Sequence, residues 1–161
     1  MNFIDPLGLL MICTQIRVGN NTTIRCDDSS GTSTYHLSEP APVNPAVPYE
    51  EDQQLAPGLY ILLPRTTWGG VLPTGSPVYT TPDQQAGTII TPTGKKRGGW
   101  KEPAGPHVAG PEKKSKGCPL FSDTKAGRKQ KDEFYRHFKE NINTGGTWIY
   151  ILDLPSLESK Y

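Results

Sequence analysis

The sequence predicts a mainly β domain carrying one amphipathic helix. Three observations lead there. The 161 residues include 16 Pro and 17 Gly, which cut the chain into short elements joined by turns. Apolar residues make up 34% of it, enough for one modest core and hence one domain. A helical apolar period occurs in a single stretch near residues 122–146, whereas runs of β-branched and aromatic residues recur along the rest of the chain.

In chain order, "MICTQIRVGNNTTIRCDD" (residues 11–28) is two β-type runs flanking Gly19-Asn20, a pair suited to a two-residue hairpin turn. With that turn, positions summing to 39 face each other, so Cys13 stands opposite Cys26. Residues 38–54 are rich in proline and have no apolar period, which predicts an extended surface loop. Leu59-Tyr60-Ile61-Leu62-Leu63 is apolar on both faces and stopped by Pro64, the pattern of a central strand. Between residues 66 and 94, Pro77-Val78-Tyr79 and Thr88-Ile89-Ile90 are strand candidates between turns. A Ser122-Asp123-Thr124 cap, Phe134, Phe138 and Ile142 at spacing four, and a Gly145-Gly146 stop predict the helix. "TWIYILDL" (residues 147–154), ended by Pro155, is the clearest strand signal, and no internal repeat is present.

A formal net charge of +1 conceals a division, because residues 95–139 hold 13 Lys/Arg against 5 Asp/Glu and residues 1–94 hold 3 against 8. The basic stretch suits a nucleic acid, an anionic wall polymer or an acidic protein, or else is a solvated face. No run reaches the ~20 apolar residues of a membrane span, and "LGLLMIC" lacks the basic flank and length of a signal peptide. Export is therefore expected to depend on other machinery or a larger parent chain. Three cysteines leave one thiol over once Cys13 and Cys26 are matched, namely Cys118. In a chain made in a cytoplasm, the expected state of the Cys13/Cys26 pair is two reduced thiols.

The segment Asn2-Phe3-Ile4-Asp5-Pro6-Leu7-Gly8-Leu9 resembles the end of the core domain of Rhs/YD-repeat polymorphic toxins. In that family a DPxGL motif is a self-cleavage point followed by a variable toxin domain. The resemblance implies that residues 1–9 end the Rhs core and residues 10–161 are the toxin domain. It also implies a cognate immunity protein, a parent Rhs shell and a secretion apparatus as partners.

"GPHVAGPEKKSKGCPLF" (residues 105–121) brings a histidine, a charged loop and then Ser115-Lys116-Gly117-Cys118. A thiolate is a strong nucleophile, and a nearby imidazole can take its proton and return it to a leaving group. A glycine before the cysteine lets backbone N–H groups approach a developing oxyanion. Lys113, Lys114 and Lys116 favour the thiolate, and a helix starting after Cys118 would add its dipole.

His107 followed by Ser-x-Gly-Cys resembles the L,D-transpeptidase family, in particular its type VI secretion effector branch, and "PGLYIL" stands where that family has a Pro-x-Gly-x-Tyr/Phe strand. The resemblance spans about residues 55–152. It implies an L,D-transpeptidase-like β-sandwich or barrel, Cys118 as nucleophile, His107 as base, Gly117 and Ser115 as shapers of the oxyanion loop, and no metal or organic cofactor. This chain departs from the pattern with Val108 where Gly is usual, Pro119 where a β-branched residue is usual, and Arg128 ten residues after the cysteine. Arg128 and Trp100 are the candidates for substrate binding; Trp68, Trp100 and Trp148 otherwise read as core or groove aromatics, and His137 as a helical surface histidine.

Together these readings give an antibacterial effector delivered to the periplasm of a target bacterium, acting on peptidoglycan stem peptides by cysteine acyl transfer. The competing expectation is a cytoplasm-acting Rhs nuclease using the basic 95–139 segment with His107 or His137. A non-enzymatic binding tip is the third.

Overall fold

The computed structural model describes residues 10–39, 54–66, 72–83, 87–90, 94, 96–97, 104–110, 117–142 and 146–155. The NFIDPLGL motif, most of the proline-rich stretch, Trp68, Trp100, Lys113, Lys114, Ser115, Lys116 and Gly145 lie outside the described residues.

Strands β1 (Met11–Val18) and β2 (Asn21–Asp28) form the hairpin that the sequence predicts, with Gly19 at φ 61° in its turn. Their register pairs Cys13 with Cys26. The two cysteines are joined by a disulfide, with Cα atoms 4.0 Å apart, rather than standing as the expected reduced pair. Opposed positions bring two cysteine Cβ atoms within bridging reach without moving the backbone, so the pairing follows from the register.

A third strand, β3 (Gly31–Ser38), returns against β2 through a second tight turn at Ser29-Ser30. Then follow β4 (Gly58–Pro64), β5 (Pro77–Thr80), β6 (Ile89–Ile90), β7 (Lys96–Arg97), β8 (His107–Val108), β9 (Leu120–Phe121), helix α1 (Lys125–Asn141) and β10 (Thr147–Leu154). Strands β6 and β7 form a small ribbon of their own. The other eight make one sheet in the order β5-β4-β10-β1-β2-β3-β9-β8. The last strand therefore inserts parallel beside the first, with Cys13 level with Ile149 and Arg17 level with Asp153. Strand β4 has partners on both sides but sits one place from the edge, not at the centre, which β10, β1 and β2 occupy.

The sheet curls until its ends meet. Tyr79 of edge strand β5 donates its N–H to Ala104 O at 2.7 Å, three residues before β8 at the opposite edge begins its pairing. This covering explains why all four residues of β5 are buried although the strand is terminal. The result is mainly β with one helix, curled as a barrel is; among the described residues no second large sheet faces it.

The helix starts at Thr124, whose hydroxyl accepts the Gly127 N–H at 3.0 Å. It lays Phe134 and Phe138 onto β3, β8 and β9, with the Phe134 ring edge-on to Tyr35 at 5.2 Å and against Phe121 at 6.2 Å. Ile142, expected on that apolar stripe, is exposed because the helix ends at Asn141, whose side chain turns inward instead. On the outer side of the two central strands, Ile16, Val18, Tyr150, Leu152 and Leu154 remain exposed. The inner side at that same end is polar, holding Gln15 and Arg17.

Candidate active site

Strands β8 and β9 run parallel with His107 level with Leu120, and the His107 N–H donates to Pro119 O at 3.2 Å. The backbone of His107 is thus bonded to the residue that follows Cys118. A second rung, Ala109 N–H to Phe121 O at 2.9 Å, fixes the alignment.

Three contacts hold the histidine segment in place. Gly105 lies flush on β5, where an added Cβ would come 2.1 Å from Pro77 O. Tyr79 binds Ala104 as described above. From the helix, the Tyr135 hydroxyl donates to Pro106 O at 2.7 Å. On the cysteine side, Gly117 adopts φ 108°, a conformation that side chains with a Cβ rarely take. The glycine of the Ser-x-Gly-Cys pattern therefore has a backbone reason for its place.

His107 is buried, and its Nδ1 lies 2.8 Å from Val108 O. A carbonyl can only accept, so Nδ1 carries the proton and Nε2 keeps its lone pair. Burial holds the imidazole below the usual 6.5, with the bond to Val108 O opposing it. The ring is thus neutral near pH 7 and able to act as a base.

Cys118 is buried and is the one cysteine outside the disulfide. Two tyrosines, the buried Tyr79 and the half-buried Tyr135, are near enough to feel its charge. Burial raises Tyr135 to about 12 and Tyr79 well above 10; Ser76 donates toward Tyr135, and a negative charge on Cys118 pushes both phenols further up. Both therefore stay protonated and add no negative charge beside the thiol, their protons being held by Pro106 O and Gln15 Oε1.

Beyond Tyr79 the polar groups continue into the mouth of the curled sheet. The Tyr79 hydroxyl donates to Gln15 Oε1 at 2.6 Å, and Gln15 Nε2 donates to Glu39 Oε1 at 2.6 Å. Arg17 grips Asp153 through Nε at 2.5 Å and Nη2 at 3.0 Å. Desolvation raises Glu39 to about 7, with the Arg17 charge pulling the other way. Ser76, Tyr79, Tyr135, Gln15, Arg17 and Glu39 are not among the candidate site residues that the sequence points to. A signal for two of them exists in β1, where alternation puts Gln15 and Arg17 on the same face as Met11 and Cys13.

Of the expected site residues, strand pairing lays the backbone of His107 beside the stretch that follows Gly117 and Cys118; Ser115 and Trp100 lie outside the described residues. Arg128 is exposed on the first turn of α1 and donates twice to Asp123 Oδ1, at 2.9 and 2.6 Å. Strand β9 separates Cys118 from the helix, so the dipole of α1 does not start at the thiol. His36 is exposed, whereas His137, expected at the helix surface, is half-buried with its Nδ1 near Tyr35 Oη at 3.2 Å, turned onto β3 instead of solvent. Trp148 is half-buried on β10. Within the basic stretch, Lys96, Arg128, Lys131 and Arg136 pair with Asp83, Asp123, Asp132 and Glu140. Among the described residues no three His, Cys, Asp or Glu side chains converge as a metal site requires.

Comparison of the chain with protein-family models, with curated proteins and with solved structures finds no match.

Proposed function

We propose that this domain is a cysteine acyl-transfer enzyme of L,D-transpeptidase or L,D-carboxypeptidase type that acts on peptidoglycan stem peptides, released from an Rhs parent and countered by an immunity protein. The observation that carries the reading is the β8–β9 register, which ties His107 to the residue next to Cys118 while the Nδ1 bond leaves Nε2 as the base.

In this mechanism His107 Nε2 takes the thiol proton and Cys118 Sγ attacks the carbonyl of the diamino acid in the stem peptide. The tetrahedral oxyanion is held by the Cys118 backbone N–H and a neighbouring donor, with the Gly117 conformation aiming that stretch of backbone. The C–N bond to the terminal D-alanine breaks, His107 returns its proton to the departing amine, and a thioester remains. Water or the amine of a D-amino acid then attacks the thioester, giving a trimmed or exchanged peptide and restoring the thiol. The Cys13–Cys26 bridge supports action in an oxidising compartment such as a periplasm, since such bridges are rare in a reducing cytoplasm.

Exporting the domain to the periplasm of a test bacterium checks the reading. Cys118→Ala and His107→Ala should each abolish toxicity while the protein stays folded, because a nucleophile and its base fail as a unit. Muropeptides from cells carrying the unmodified domain should show trimmed or exchanged tetrapeptides. Full toxicity of Cys118→Ala, or killing by the cytoplasmic form alone, would replace this mechanism with the nuclease.

A further inference from the structure

The mouth of the curled sheet contains two buried charged groups whose hydrogen-bonding capacity is only partly used. Arg17 is 2% exposed and Glu39 is 7% exposed. Asp153 takes Nε and Nη2 of Arg17, leaving Nη1 buried with no hydrogen-bond partner among the described residues. Gln15 takes Oε1 of Glu39, and the Thr22 hydroxyl lies near enough to lower the carboxyl's titration, but Oε2 has no hydrogen-bond partner of full geometry among the described residues. The guanidinium and the carboxylate form no salt bridge with each other, although Arg17 is near enough to influence the titration of Glu39. A cationic hydrogen-bond donor and an anionic acceptor are thus both held in the mouth with capacity to spare, which is unfavourable for any buried group left unsatisfied.

We propose that this mouth binds a zwitterionic amino-acid head group, its carboxylate on Arg17 Nη1 and its ammonium on Glu39 Oε2. An anion alone would satisfy Arg17 and face Glu39; a cation alone would do the reverse. A group bearing both charges satisfies both. Gln15 and Tyr79 hold Glu39 from behind, and Asp153, which is half-exposed, marks the side open to solvent. Tyr79 also places the mouth within one side chain of Cys118, whose charge it senses. The burial that raises Glu39 to about 7 is the cost that an opposing ammonium would relieve.

The link to catalysis rests on the acyl-transfer reading above. Two sources offer this chemistry there: the side-chain end of the stem's diamino acid, which carries its own ammonium and carboxylate, and a free D-amino acid serving as acceptor.

Calorimetric titration of the full chain carrying Cys118→Ala separates binding from turnover. The probes are a stem tetrapeptide with the zwitterionic diamino acid, the same peptide with that side-chain amine acetylated, the same peptide with that carboxylate amidated, and free D-alanine. Either blocked peptide should bind about tenfold or more weakly than the zwitterionic one, the loss expected when a buried charge goes unmatched. Adding Glu39→Gln should remove the discrimination against acetylation. D-alanine binding that Glu39→Gln abolishes, with no effect of blocking the peptide, would assign the same site to the acceptor. Equal affinity for all three peptides together with no Glu39-dependent D-alanine binding overturns the proposal, as does absence of binding by every probe. Cys118-dependent turnover of the tetrapeptide by the unmodified chain tests the acyl-transfer reading separately, so each can fail alone.

Discussion

Reducing the Cys13–Cys26 bridge should cost this domain about 3 kcal/mol. The bridge closes a loop with a sequence separation of 13. In the chain-entropy treatment, denying that closure to the unfolded chain is worth about 2.1 plus 1.5R ln n cal/mol/K, or roughly 3 kcal/mol at 25 °C for n near 14. A hairpin turn that already brings the two cysteines together in the unfolded chain would lower that figure. The folded contribution is not large by itself, because both cysteines are already buried in a core shared with Met11, Ile24 and Tyr35. The assay is urea unfolding followed by tryptophan fluorescence, comparing oxidised protein with protein held in reductant and with Cys13→Ala/Cys26→Ala. At a slope of about 2 kcal/mol/M, typical for this size, the midpoint should fall by about 1.5 M with the slope little changed. Midpoints that agree within about 0.2 M would show that the bridge adds nothing, and with it would go the argument that the domain is adapted to an oxidising compartment.

Two further outcomes follow from the site. The carboxyl of Glu39 moves from a usual 4.5 to about 7 on folding, so its contribution to stability is fully present below pH 4.5 and is lost as pH rises through 7. Wild type should therefore lose about 3 kcal/mol more stability than Glu39→Gln between pH 4.5 and pH 8, read from urea midpoints; parallel pH profiles would contradict the buried, ionisable placement of Glu39. Gly105→Ala should cost about 1–3 kcal/mol, because its new Cβ would meet backbone Pro77 O at 2.1 Å and neither strand can yield cheaply. Since His107 is two residues away, turnover should fall by more than stability explains; a fully active variant with an unchanged melting temperature would refute the clamp.

Local chemistry made several elements legible in the sequence. Gly19-Asn20 set the β1–β2 register through turn geometry alone, and the spacing of Phe134 and Phe138 set the buried side of α1. Strand β3 was missed because Gly31-Thr32-Ser33-Thr34 is polar, with only Tyr35 and Leu37 turned inward; its stability comes from lying between β2 and β9, which no local pattern reveals. Strands β8 and β9 are two residues each, too short to leave a period, yet they set His107 level with Leu120, two residues past the cysteine. The sequence pointed to His107, Gly117 and Cys118 through residue types that nucleophilic chemistry needs, and the β8–β9 pairing brings the backbones of those two segments side by side. The tyrosines and the Arg17/Glu39 mouth were not legible, because their role comes from the curl of the sheet, which joins β1, β3, β5 and β10 across long stretches of chain. Hairpin register also placed Cys13 beside Cys26 without disclosing their oxidation state, which depends on compartment rather than on pattern.

The parallel seating of β10 against β1 has a consequence in time. Arg17 and Asp153 are 136 residues apart in sequence, and the centre of the sheet is not complete until the second of them has left the ribosome. A chain still being synthesised can form the β1–β2–β3 meander but lacks its middle strand, so the mouth has no Asp153 to anchor Arg17. Contacts of such long range also slow folding after synthesis. Under the proposed effector reading, this topology withholds the folded site until β10 has emerged and leaves an interval in which an immunity protein can take hold of the chain.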